Sequence, residues 1–396
     1  MFQLRKGGGG RPLLSFFLLL AALVPTTLSP LAGRANAELF SPVMQRPNPA
    51  SLSAPDNVWA FGFRQGAFLG NRMLPLDPFF HRWEGPVHIE ERNIVHSRAL
   101  VEVFAGKGGW EVSLGVREEM SLLGNRDSAE VIRLMKRKQD LPTGNRYDID
   151  LKMSGFVGEE LRVARSWNLT EVPGFSVGAG LGLIHGERIQ DGTIDGTLSV
   201  TGRRAYDFAL NLNYFYDVNY LYDISLDRKG LEGYGFATDV GMRYRRKAWD
   251  LSLRAEDLLS RIYWRRVNTT GAFASNGRRY FDTEGFVHYD PIITGFEGKR
   301  SVTQRIEPKV AGEATYSGEH AGLTIASNWM RDIVFPRAAV GLRGSPESGW
   351  WRLGYDLYFR MGGIQYEGKN GGFAVFSDAL SLKKIGAAGV QASLRW

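Results

Sequence analysis

The chain ends on a strand pattern that limits what it can fold into. Apolar and polar side chains alternate from Gly386 to Trp396. The apolar positions are Val390, Ala392, Leu394 and Trp396, and the polar positions are Gln391, Ser393 and Arg395. Neighbouring side chains on a strand point to opposite faces, so one face is apolar. A final strand of this kind with a terminal aromatic residue is typical of a membrane β-barrel. An edge strand of a soluble sheet is the alternative.

The same alternation recurs along the chain. The clearest segments are 146–153, 206–217, 234–245, 249–256, 305–316 and 351–360. Several run to about ten residues, which is the length that a tilted transmembrane strand needs, whereas strands of soluble sandwiches average about five or six. The sequence therefore predicts an all-β fold, a transmembrane antiparallel β-barrel of about fourteen strands, with twelve or sixteen as alternatives.

The N-terminal region has the features of an export signal. The apolar run Leu13–Val24 follows a basic stretch and is too short to span a bilayer as a helix. Ala35-Asn36-Ala37 fits the small-x-small cleavage pattern. We expect residues 1–37 to be a signal peptide, 38–56 an N-terminal hatch or periplasmic segment, and 57–396 the barrel. A retained anchor helix is the alternative.

Composition excludes several classes of protein. The chain has no Cys, which excludes a lipoprotein anchor and thiolate metal sites. The formal charge is +7, but Arg5, Lys6, Arg11 and Arg34 lie in the predicted signal, which leaves 7 − 4 = +3. This small excess does not indicate nucleic-acid binding. We expect no cofactor and no metal.

Charges on the predicted inner face carry both signs in similar numbers. A selective ion pore normally shows an excess of one sign. A mixed lining indicates cross-strand ion pairs that fill a narrow interior, although charges of both signs would also simply keep a wet wall hydrated. The predicted lumen charges are Arg146, Asp148, Asp150, Lys152, Asp239, Arg243, Arg254, Glu256, Arg305, Glu307, Lys309, Arg352 and Asp356.

One motif resembles a catalytic signature. Gly174-Phe175-Ser176-Val177-Gly178 matches G-x-S-x-G, which acts as a nucleophile elbow only at a strand-to-helix turn. Here a strand with alternate glycines follows, so we interpret the match as coincidence and the glycines as a closely packed wall. His185 is too far from Ser176 along one extended strand for a hydrogen bond. We therefore do not expect an enzyme.

Two loops stand out. Residues 127–140 predict a short helix, either an extracellular lid, a constriction within the lumen or a plain loop helix. Residues 265–304, rich in Gly, Asn and aromatic residues, predict a long extracellular loop.

Asn48-Pro49-Ala50 lies just before the predicted first strand, Val58–Phe68. This segment resembles the Asn-Pro-Ala segment of the FadL/TraF-like group of fourteen-stranded outer-membrane barrels. The resemblance implies that the N-terminal segment folds into the barrel as a hatch, with Asn48, Pro49 and Ala50 as its turn. Pro49 fixes its own φ and pushes Asn48 out of the helical region, which suits a tight turn. Fatty-acid uptake does not follow from the resemblance.

These observations lead to one expectation and two rivals. We expect an outer-membrane barrel of a Gram-negative bacterium that acts as a narrow or plugged channel for a small or hydrophobic solute. The rivals are a non-catalytic component of a secretion or surface-polymer system and an outer-membrane hydrolase. The expected partners are outer-membrane lipid, the barrel-assembly machinery, which would read Leu394 and Trp396 as an insertion signal, and a periplasmic or surface protein; nucleic acid is not expected.

Overall fold

The computed structural model describes residues 38–52, 58–81, 83–203, 205–219, 231–276, 279–281, 287–289, 293–344 and 348–396. The predicted signal peptide, 1–37, lies outside these ranges. Across the described residues, no helix is both long enough and apolar enough to cross a membrane.

The described chain is mostly strand. The helices are α1 (Leu76–Phe80) and α2 (Arg126–Lys136), with 3-10 turns at Pro49–Ser51 and Leu382–Lys384. The strands are β1 (Ala60–Asn71), β2 (Arg92–Lys107), β3 (Trp110–Asn125), β4 (Arg146–Asn168), β5 (Phe175–Gly202), β6 (Ala205–Tyr216), β7 (Glu232–Arg246), β8 (Trp249–Glu256), β9 (Arg261–Ser275), β10 (Arg279–Phe281), β11 (Val287–Tyr289), β12 (Ile293–Arg305), β13 (Lys309–Ser317), β14 (Ala321–Met330), β15 (Ile333–Leu342), β16 (Trp350–Asp356), β17 (Met361–Glu367), β18 (Gly371–Ser377) and β19 (Ala387–Arg395).

The sheet closes on itself. β19 pairs antiparallel with β1, with Leu394 opposite Phe63, and β1 pairs on its other side with β2. Outward-facing residues of the wall, such as Leu161, Leu181 and Leu353, are exposed and apolar, as lipid-facing residues are. The predicted all-β antiparallel barrel, closed by the C-terminal strand, is confirmed.

The strand count differs from the prediction. Among the described residues the closed sheet has seventeen strands, which is three more than the fourteen expected, while β10 and β11 pair separately. The extra strands arise because long strands are interrupted. β6 and β7 both pair with β5, and β8 and β9 both pair with β7. Likewise, β12 pairs with β9 and β13 pairs with β8, so β12 and β13 lie on one interrupted path.

The wall is much taller on one side than on the other. β4 and β5 contain 23 and 28 residues, whereas β16, β17 and β18 contain 7 each. We call the end that holds the β2–β3 and β7–β8 turns the short-turn end, and the opposite end the long-loop end. Periplasmic turns of such barrels are short and extracellular loops long. In a barrel of this kind the tall part of the wall would therefore rise on the extracellular side.

Helix α2 packs on the outer face of the tall wall. Tyr147 and Ile149 of β4 share the outward face with the exposed Leu161 and are buried beneath apolar residues of α2, including Leu134. Asn125 caps the helix by accepting a hydrogen bond from the Ser128 N–H at 2.9 Å. The predicted helix exists, and it does not lie in the lumen.

The loop predicted at 265–304 is wrong for most of its length. β9 continues to Ser275 and β12 begins at Ile293, and the two strands pair over these residues. The aromatic and glycine content that indicated a loop belongs to strands that extend beyond the low side of the wall.

Candidate functional site

Residues Glu38–Leu52, which we call the plug, lie inside the barrel. Phe40, Val43 and Met44 are 0–1% exposed and pack in one cluster with inward-facing wall residues such as Phe68 and Phe376. The Phe40 ring stacks on that of Phe376 with a centroid separation of 4.7 Å. Residues 53–57, between the plug and the first strand, lie outside the described residues.

The Asn48-Pro49-Ala50 segment forms a tight turn against the wall. Asn48 is fully buried and its Oδ1 accepts a hydrogen bond from the Ala50 N–H at 2.9 Å. Its amide nitrogen donates to the backbone carbonyls of Met242 at 3.0 Å and Leu253 at 3.1 Å. The Asn48 side chain thus shapes the turn and joins it to β7 and β8.

The glycine-rich strand β5 accommodates this turn. A Cβ on Gly178 would overlap the backbone of Pro49 and Ala50, and a Cβ on Gly241 of β7 would overlap Asn48. Ser176 Oγ donates to the Ala50 carbonyl at 2.9 Å. The G-x-S-x-G residues are therefore part of the seat of the plug.

Ser176 has no catalytic partner in His185. The Ser176 side chain points into the lumen, whereas His185 lies on the opposite, outward face of β5 and is half exposed. The nearest carboxylate of His185 is that of Glu159, at 3.7 Å.

Wall arginines satisfy the plug backbone. Because the plug pairs with no strand, its buried carbonyls need side-chain partners. Arg98 donates to the Val43 carbonyl, Arg254 to the Arg46 carbonyl, and Arg337 to the Leu39 carbonyl at 2.8 Å. These three arginines come from β2, β8 and β15, so they hold the plug from different sides of the barrel.

The plug also contributes charges to the interior. Arg46 Nε lies 3.1 Å from Glu102, and its Nη1 lies 2.9 Å from Glu160; all three side chains are nearly fully buried. Burial alone would lower the pKa of Arg46, but the two carboxylates outweigh it and the pKa is raised. Burial raises the pKa of Glu38, although Arg254 at 2.7 Å opposes this change.

A network of buried ion pairs fills the middle of the lumen. Arg117 bonds Asp257 at 2.5 Å and Glu119 at 2.8 Å, and Lys309 bonds the same two carboxylates at 3.0 and 2.7 Å. Further pairs around it are Arg64–Glu102 (2.6 Å), Arg98–Glu256 (2.8 Å) and Arg162–Asp239 (2.8 Å). Charges of both signs thus neutralise one another in the lumen.

Twelve of the thirteen predicted lumen charges lie on the inner side, in three groups. Asp239, Arg254, Glu256 and Lys309 belong to the buried network or hold the plug. A second group is paired elsewhere on the inner side. Its ion pairs are Arg243–Asp250, Lys152–Glu307 and Arg352–Glu367, and Asp356 accepts a hydrogen bond from the Phe359 N–H. Arg146, Asp148 and Asp150 lie on the inner face of the tall wall and are exposed to solvent.

Arg305 was placed wrongly by the sequence. It is exposed on the outer face, opposite Arg261, because the chain breaks between β12 and β13 at Pro308. Ile306 and Lys309 are both buried, so the alternation changes phase across this break.

Most members of the buried network were not predicted from the sequence. The missed members are Arg46, Arg64, Arg98, Glu102, Glu111, Arg117, Glu119, Glu160, Arg162 and Asp257. A usable signal existed in β3, where Glu111, Arg117 and Glu119 alternate with exposed apolar residues such as Leu114 and Val116.

A cavity of about 110 Å³ lies beside the plug toward the short-turn end. Leu39 and Met44 of the plug, Phe104 of β2 and Ala374 of β18 give it an apolar side, and Arg64 gives it a charged side. A second apolar cluster, around the buried Trp264 and Ile262, occupies the inner face of the tall wall. Among the described residues, no group of three or more His, Asp or Glu is arranged to hold a metal.

No protein-family model and no curated protein matches the chain. Solved structures with a similar fold include the toluene transporter TodX of Pseudomonas putida, at 10% identity and a TM-score of 0.42, covering 88% of this chain and 91% of that one. The toluene transporter TbuX of Ralstonia pickettii has 8% identity and a TM-score of 0.33, with coverage of 88% and 91%. The autotransporter translocator domain of NalP from Neisseria meningitidis has 8% identity and a TM-score of 0.27, with coverage of 85% and 88%.

Proposed function

We propose that the protein is an outer-membrane barrel that acts as a narrow, plugged channel for passive transport of a small hydrophobic solute. The observation that carries this proposal is the presence of two apolar clusters on the inner face. The interior of a water-filled pore is polar, whereas here two apolar clusters line the lumen and the plug inserts Phe40, Val43 and Met44 into one of them.

The charge network favours a neutral solute over an ion. Its charges are paired and largely buried. An ion that entered would lose its hydration and break such pairs, and breaking a buried pair costs about 3–5 kcal/mol. An apolar solute could instead exchange contacts with the plug at the cavity between Met44 and Phe104.

A reversible lock on the plug would test the proposal. A Cβ on Gly66 would lie 3.2 Å from Cγ of Gln45, and the chain has no Cys of its own. The double variant Gln45→Cys/Gly66→Cys should therefore form a single disulfide between plug and wall. We expect the oxidised variant to lose uptake of a monoaromatic hydrocarbon by cells that carry the protein, and a reductant to restore it.

Two controls complete this experiment. Each single Cys variant should take up the hydrocarbon like the unmodified protein under both redox conditions. Deleting residues 38–52 should convert a poorly conducting protein into one that passes ions in planar bilayers, because the lumen then loses its filling. Equal uptake by the locked and reduced forms, together with no conductance after the deletion, would refute the channel.

Location and partners belong to the same proposal. A bacterial outer membrane fits the closed barrel, its apolar outer wall and its short turns at one end. We propose that the signal is cleaved near Ala37, which N-terminal sequencing of the purified protein would test. We further propose that the assembly machinery reads Leu394 and Trp396, both of which face outward on or beyond β19.

The rival functions have their own tests. Co-purification of a periplasmic or surface protein in fixed proportion would favour a secretion or surface-polymer role. We propose no enzymatic activity. Ser176 holds the plug, so loss of a hydrolytic activity in Ser176→Ala without loss of plug docking would revive the hydrolase.

A further inference from the structure

A group of arginines on β9 and β12, without an ion-pair partner among the described residues, faces outward above the low side of the wall. Arg261 and Arg265 of β9 and Arg305 of β12, which we call the outer arginine patch, are exposed, while Ile262 and Trp264 between them are buried inward. The patch therefore lies on the outer surface of the barrel and not in the lumen.

The patch carries like charges in direct opposition. Arg305 is the register partner of Arg261 on the neighbouring strand, and like charges placed opposite each other destabilise a sheet. No carboxylate of the described residues lies within ion-pair distance of Arg261 or Arg305. Glu232 lies opposite Arg265 in the ladder, so one acid faces the edge of the patch. The repulsion between Arg261 and Arg305 has no counter-charge in the described protein, so an external anion would relieve it.

The height of the patch indicates what that anion is. On the same strand path as Arg305, Val310 lies opposite Trp329, an exposed, outward-facing aromatic residue near the top of the low wall. Arg305 lies five residues further up this path than Val310. At a rise of about 3.3 Å per residue and a strand tilt of about 40°, Arg305 is roughly 12 Å above Trp329. Tyr234 and Tyr263 pair across β7 and β9 beside Arg261, and both are about half exposed. Exposed Trp and Tyr mark the membrane interface, so the arginines lie at headgroup level.

We propose that the outer arginine patch binds the phosphorylated headgroup of a lipid in the outer leaflet. Guanidinium groups bind phosphate through paired N–H donors and are less strongly hydrated than ammonium groups. Two facing arginines, above Trp329 and beside the Tyr234–Tyr263 pair, would hold a phosphate while the acyl chains lie along the apolar wall below. This inference needs the barrel to span a membrane, and it does not depend on which solute the lumen passes.

The test measures lipid retained by the purified full chain. We would exchange the protein in detergent with lipid A that carries two phosphates, with dephosphorylated lipid A, and with inorganic phosphate, and count bound molecules by native mass spectrometry. We expect retention of phosphorylated lipid A, at least tenfold less retention of the dephosphorylated form, and no retention of inorganic phosphate alone. In Arg261→Gln/Arg305→Gln, retention of phosphorylated lipid A should fall about tenfold.

Two variants keep the outcome decisive. Arg246→Gln removes an exposed arginine at the short-turn end, where the predicted headgroups are those of the other leaflet, and should retain lipid A like the unmodified chain. Arg261→Lys/Arg305→Lys keeps the charges and should retain an intermediate amount. Undiminished retention by the Gln double variant, an equal loss in Arg246→Gln, or equal binding of both lipid A forms would overturn the proposal. Binding of inorganic phosphate at the level of lipid A would also overturn it, since the ligand would then be a free anion.

Discussion

The plug can dock against the wall because Gly178 has no side chain. The backbone of Pro49 and Ala50 occupies the space that a Cβ on Gly178 would need. We expect Gly178→Ala to displace the turn and raise the ion conductance of the protein in planar bilayers. Gly298→Ala is the matched control, because it also lies on a strand and its Cβ would meet nothing within 4 Å. Unchanged conductance in Gly178→Ala would show that the plug seats elsewhere.

Asn48 is the polar anchor of the same turn. Asn48→Ala removes the acceptor for the Ala50 N–H and leaves the carbonyls of Met242 and Leu253 without this donor. Since each unsatisfied buried group costs about 1–3 kcal/mol, plug docking should weaken by about 2–4 kcal/mol. Hydrogen exchange of residues 38–52 measures this loss. Asn211→Ala, at an exposed Asn that bonds Asp195, should leave this exchange unaltered.

Residue identities predicted which kinds of side chain line the lumen, but they did not predict which charged residues pair with each other. The mixed charges, the glycine-rich strand and the Asn-Pro-Ala turn were readable because each depends on local alternation or on one residue type. The partner of Arg46 was not, since Glu102 and Glu160 lie 56 and 114 residues away in sequence. Ion pairs between residues so far apart in sequence form only when the barrel closes, and no local sequence pattern encodes that closure.

The position of helix α2 indicates that it covers the outer wall and does not gate the lumen. It packs over Tyr147 and Ile149 on the outer face of β4, away from the plug. We expect replacement of residues 126–140 by a short Gly-Ser turn to lower the unfolding temperature, because the apolar outer face becomes exposed. Conductance and hydrocarbon uptake should stay at the level of the unmodified protein. Increased conductance in this variant would instead identify the helix as a gate.

Strand positions were predicted well and strand limits poorly. The predicted alternating segments fall on strands of the barrel, although 351–360 runs past the end of β16. Pro308 and the chain between β6 and β7 interrupt paths that are continuous in the wall. The alternation of inward and outward residues changes phase at Pro308. Arg305 shows the consequence, because extending the phase of β13 backward across Pro308 places it on the wrong face.

At the scale of the whole molecule, the barrel wall is closed by its last strand, β19. β19 forms ladders with both β1 and β18, so its removal leaves two unpaired edges in a sheet that must have none within a membrane. We expect deletion of residues 387–396 to abolish the migration difference between boiled and unboiled samples that folded barrels show on gels. Trp396→Ala keeps the chain that exchanges backbone hydrogen bonds with Phe61. It should therefore retain this migration difference once folded, while assembling more slowly in cells if Trp396 is read as part of an insertion signal. A truncated chain that still migrates differently before and after boiling would show that β1 and β18 can close the wall alone, and that the terminal strand serves insertion only.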